Sequence, residues 1–136
     1  MDLQDEVSAQ EEPIDFPLLF DKDGEPTDGF KIVGANSKQY QEVDRAWKIK
    51  TVRKTARRGR GIEASTETGA GELISQVEQR EFEICCACVV GIYGFTIGGA
   101  PAELSPATLK AIFDKRPTWR AKTVNAIEND ALFTKA

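Results

Sequence analysis

Residues 82–97 read FEICCACVVGIYGFTI, and no other stretch of this chain is able to nucleate a core. A helical lead-in, residues 72–79, precedes it. Leu73, Val77, Ile84, Cys88, Ile92 and Phe95 fall at spacings of three, four or seven, the mark of a helix face turned inward. From Phe82 onward the remaining faces are apolar as well, so the segment is expected to be buried on most sides. The spacing predicts a core helix over residues 72–93, stopped by Gly91, Gly94, Gly98 and Gly99, with a tight turn at Thr96-Ile97-Gly98-Gly99.

The run is shorter than the roughly 18–20 residues of a membrane span, and Glu81 and Glu83 stand at its mouth. Three cysteines, Cys85, Cys86 and Cys88, crowd into it, while the chain has no histidine. A zinc site asks for a second ligand pair that is absent, and a nucleophilic thiol asks for a base. They therefore read as small hydrophobes of a reduced interior. No metal, cofactor or catalytic set is expected.

Downstream of the core helix, Ser105 suits an N-cap, Pro106 the first helical position, and Leu104 and Leu109 the staple positions. A short helix over 105–114 follows, with Leu109, Ile112 and Phe113 on one side. Pro117 opens a last helix over 117–131, lined by Trp119, Thr123, Val124, Ile127 and Ala131, with Phe133 at its frayed end.

Upstream, residues 1–15 carry six acids and no base. Such a segment cannot repay its ordering entropy and reads as a flexible acidic arm. The runs FPLLF and FKIVG, residues 16–20 and 30–34, flank turn residues at Asp23-Gly24 and Asp28-Gly29 and predict a β-hairpin over 16–34. Pro17 places its strand at an edge. Asp21, Asp23 and Glu25 invite a calcium reading, but the closing glutamate of such a loop is missing, and turn chemistry accounts for the acids.

Asn36 or Ser37 caps a helix running to residue 58. Its apolar stripe is thin: Tyr40, Val43, Trp47 and Thr51. Residues 45–60 hold eight bases and no acid, the sharpest compositional feature of the chain. Without interleaved aromatics or a reading motif, nucleic acid is the lesser reading of this stretch. An acidic partner, another protein or the chain's own N-terminus, is the better one. Residues 59–71, GRGIEASTETGAG, read as a flexible linker.

The whole is one domain over 16–136, mainly α: a small helical domain (α+β) with an N-terminal hairpin and a helical core over 72–133. At 136 residues and a net charge of −4, it has no general affinity for nucleic acid or acidic membranes. Neither an export signal nor a span is read, which leaves the cytoplasm as the expected location.

The segments VVGIYGFTIGGAPAEL, SPATLKAIF, KRPTWRAKTVNAIEND and ALF, with the upstream G-E-P-T turn and A-N-S-K-Q-Y helix start, resemble the pattern of small bacteriophage tail assembly chaperones. The likeness spans most of residues 16–133 and contains no chemical signature. It implies a mainly helical, non-enzymatic protein of the infected cell's cytoplasm. It further implies binding to the tape measure protein, sometimes to the tail tube protein, and departure before the tail is complete. Candidate contact residues are Trp47, Phe95, Phe113, Trp119 and Phe133 for an apolar groove, with Arg53, Arg57 and Arg58 to steer an acidic client. For each aromatic, core is the first reading. Competing expectations are a minor tail or head–tail joining subunit retained in the virion, a nucleic-acid binder using residues 45–60, and self-association.

Overall fold

The computed structural model describes residues 11–58 and 67–133. The predicted hairpin is present: β1 (Ile14–Phe20) pairs antiparallel with β2 (Pro26–Ile32), matching Ile14 to Ile32 and Phe16 to Phe30. The acidic arm therefore ends sooner than residue 15, because Ile14 and Asp15 already sit in the ladder opposite Ile32 and Lys31. In the connecting loop, Asp21 Oδ1 accepts the backbone N–H groups of Asp23 at 2.9 Å and Glu25 at 3.0 Å. This is an aspartate closing a turn on itself.

The larger departure is a third strand. Helix α1 (Lys38–Arg58) and helix α2 (Glu67–Cys88) are followed at once by β3 (Val89–Tyr93). The core helix thus ends at Cys88, five residues before the expected Tyr93, and it begins at Glu67 inside the stretch read as linker. Residues 59–66 of that linker, like residues 1–10 of the acidic arm, lie outside the described residues. β3 pairs antiparallel with β2, Phe30 opposite Ile92 and Lys31 opposite Gly91, and the Val33 N–H donates to the Cys88 carbonyl at 3.0 Å. The order is β1-β2-β3, with Pro17 on the outer strand β1 as expected. Val89, Val90, Ile92 and Tyr93 are β-branched or aromatic, and they gain a ladder partner that a helix could not offer.

A two-residue turn at Gly98-Gly99, φ 60° and 86°, joins β4 (Thr96–Ile97) to β5 (Ala100–Pro101). Positive φ at both central positions is what this kind of hairpin requires, and glycine adopts it without penalty. Helix α3 (Pro106–Lys115) starts as predicted, with Ser105 Oγ accepting the Thr108 N–H at 3.1 Å. α4 (Pro117–Ile127) stops four residues short of 131, and a separate turn, α5 (Asp130–Phe133), follows. Phe133 is buried, so the end of the chain's last described element is tucked in instead of frayed.

Phe30, Ile32, Ile84, Leu109 and Ile127 are fully buried where the sheet, α2, α3 and α4 meet. Val77 corrects the face drawn from spacing: it is 58% exposed, and Leu73 only half-buried. In the amino-terminal half of α2 Leu73 and Gln76 are half-buried while Ile74 and Val77 are exposed, and the fully buried core residues of the helix begin at Ile84. Polar contacts fasten α1 instead. Trp47 donates its indole N–H to the Glu83 carboxylate, the Tyr40 hydroxyl donates to Glu128, and Arg80 reaches Tyr40 at 3.3 Å and Asp44 at 3.2 Å. Ser37 caps α1, its Oγ accepting the Tyr40 N–H. Among the described residues no helix is long and apolar enough to cross a membrane.

Candidate functional site

The β4–β5 hairpin stands beside α3 and the start of α4, and between them lies an apolar groove of about 570 Å³. Local chain chemistry places its walls. Gly94 has φ 84°, and a Cβ there would collide with the Thr27 carbonyl oxygen and the Asp28 carboxylate. Only glycine lets the chain turn so close against β2 and deliver Phe95 to the groove. The Ala102 N–H then donates to the Phe95 carbonyl at 2.9 Å and shuts the hairpin's base.

Ser105 and Pro106 fix the start of α3, which presents Ala111 and Ile112. Pro117 restarts the helix so that Trp119 stands opposite Phe95, ring centroids 6.3 Å apart. Phe30 backs Phe95 at 5.8 Å and meets Phe113 at 6.0 Å. The rim is exposed: Ile97 is 61% accessible, and Leu19 contributes from β1. Lys115 and Arg116 edge one side, Arg116 over the Trp119 ring at 5.5 Å, and Asp28 edges another. A lining of carbon with a few charges at the margin suits an apolar side chain better than a polar metabolite.

Of the residues singled out from sequence, Phe95 and Trp119 come together in the groove. Phe113 lies behind it, buried, its ring edge-on to Phe30 and Phe82. Phe133 is core. Trp47 is elsewhere, half-buried between α1 and α2, with the Lys50 ammonium 4.7 Å above its ring. Arg53 is exposed on α1; the side chains of Arg57 and Arg58 lie outside the described residues. The sequence marks Asp28, Ile97 and Ile112 only as turn or helix-face residues and does not single out Leu19, Lys115 or Arg116; all six line the groove. Ile97 carries a weak signal, a large aliphatic next to a Gly-Gly turn, and turns of this kind run over the surface.

The cysteines behave as buried thiols. Burial pushes Cys85 well up, and it pushes Cys88 up to about 12 against a smaller opposing hydrogen bond from Ser37. Burial raises Cys86 too, helped by Glu83. All three stay protonated at neutral pH, the unreactive state of a thiol. Among the described residues no group of three or more His, Cys, Asp or Glu is placed to hold a metal ion.

Comparison with protein-family models, curated proteins and solved structures finds no match for this chain.

Proposed function

We propose that this chain is a non-enzymatic binding protein that holds an apolar segment of another protein in the groove between the β4–β5 hairpin and α3/α4. In the reading suggested by its sequence, it is a bacteriophage tail assembly chaperone acting in the host cytoplasm. Its clients are the tape measure protein, the tail tube protein, or both. The observation that carries the reading is the groove itself: Phe95 and Trp119 form its floor while Ile97, 61% exposed, stands at its lip. A large aliphatic exposed beside an aromatic cleft is the composition of a contact surface. Each client side chain seated there contributes about 1.5–3 kcal/mol. That is roughly one to two powers of ten in affinity, so a few anchors give a hold that can still be released.

The test is co-expression with candidate tape measure and tail tube proteins, followed by pull-down. The chain should retain one of them, and Ile97→Asp should lose it. Mass spectrometry of purified virions separates this reading from a minor tail or head–tail joining subunit. A chaperone is missing from the particle, whereas a structural subunit is present in stoichiometric amount.

A further inference from the structure

Helix α1 shows two opposite faces. Residues on a helix advance by 100° each, so Tyr40, Val43, Trp47 and Lys54 share one line. With Gln39 and Asp44 beside them, these are the buried or half-buried residues of the helix, on the side where α1 packs on α2. On the other side Arg45, Ile49, Val52 and Ala56, spaced four, three and four apart, form a second line. All four are exposed, Ile49 by 43% and Val52 by 67%. The aliphatic pair is flanked by Arg45 and Arg53, with Lys48 paired to Asp44 at 2.8 Å and Glu42 the one acid on this face. The surface is amphipathic with a positive balance, and none of the described elements covers it.

The surface fits an acidic segment with two apolar residues one helical turn apart. Residues 1–12 have that composition: Asp2, Asp5, Glu6, Glu11 and Glu12 with no base, and Leu3 and Val7 four apart. Ile14 pairs with Ile32, six residues before α1 begins. From Lys38 to Ile49 the helix rises about 17 Å. The six residues from Val7 to Pro13 extend up to roughly 20 Å, and one helical turn from Val7 back to Leu3 adds about 6 Å. A tethered segment meets its site at an effective concentration in the millimolar range, so weak contacts suffice.

We propose that the acidic amino-terminal segment docks in cis along this outer stripe of α1. Leu3 and Val7 lie against Ile49 and Val52, and Asp2, Asp5 and Glu6 face Arg45 and Arg53. The placement is independent of the groove and of its client.

Methyl-labelled full-length protein tests it by nuclear magnetic resonance. At low salt, Leu3 and Val7 methyls should show cross-peaks to Ile49 and Val52, and these should vanish near 0.5 M salt, where the screening length falls to about 4 Å. Leu3→Asp with Val7→Asp should shift the Ile49 and Val52 methyls and remove the contacts. Arg45→Glu with Arg53→Glu should remove them too, and adding Asp2→Lys, Asp5→Lys and Glu6→Lys should restore them. Unmoved Ile49 and Val52 signals would overturn the proposal. So would contacts that arise only between differently labelled molecules, which would make the occupant a second copy.

Discussion

The indole of Trp119 stands 6.3 Å from the ring of Phe95, the planes inclined at 62°, and both line one groove although 24 residues of chain separate them. Trp119 is almost wholly buried and Phe95 half-buried. The pair forms a floor fixed by the core below, onto which an apolar side chain could settle. Preformed floors of this kind lower the cost of binding, since little side-chain freedom is left to lose.

Ile97→Asp separates groove from core. Ile97 is exposed, so the substitution should change stability by no more than about 0.5 kcal/mol. It places a carboxylate at an apolar lip, and client affinity should fall by one to two powers of ten, roughly 1.4–2.8 kcal/mol. Titration calorimetry and thermal melts of the same variant check both halves.

Gly94→Ala tests the hairpin's placement against Gly24→Ala. Both glycines have positive φ, 84° and 81°, but a Cβ at Gly24 meets nothing within 4 Å. The left-handed backbone alone costs about 1–2 kcal/mol, and that should be the whole effect at Gly24. At Gly94 the collision with Thr27 and Asp28 adds to it, so denaturant melts should show the larger loss there.

Stability should fall as solutions become alkaline. Cys88 titrates near 9.0 when unfolded and about 12 when folded, chiefly through burial, and Cys85 shifts the same way. The folded state keeps a proton that the unfolded chain gives up. The thiol contribution is therefore complete below pH 9 and is lost as pH climbs toward the folded value. Urea melts at pH 8 and pH 10 should differ by roughly 1–3 kcal/mol. Changing all three cysteines to Ala should lower stability at pH 8, through small cavities, yet remove most of that difference.

Ile84→Asp should abolish the fold, because Ile84 is fully buried and an unpaired carboxylate there costs several kcal/mol. Folded domains of this size hold only about 5–15 kcal/mol in total. Ile92→Asp, on the half-buried strand β3, should be less severe than at Ile84. Circular dichroism of the two variants ranks them.

Local signals in the sequence carried much of this architecture. Ser37, the Ser105-Pro106 start, Pro117 and the Gly98-Gly99 turn each act within a few residues, so their chemistry is visible without the fold. Val89 to Tyr93 reads as helix from sequence because a continuous apolar run has no period to tell helix from strand. What decides it is β2, near sixty residues upstream, whose Phe30 lies opposite Ile92. The groove was legible only through Phe95 and Trp119. Its other walls come from β1, from the loop side of β2 and from two helices, a meeting that no spacing rule encodes. Val77 failed for a related reason: its spacing continues the buried face of α2 past the point where the core ends.

The most direct test of the groove is hydrogen exchange on the protein alone and in complex with a proposed client, a tape measure or tail tube protein. Client binding should slow exchange at residues 95–101 and 111–119, and Ile97→Asp should cancel that protection. A stable complex in which those segments exchange as fast as in the free protein would contradict the account.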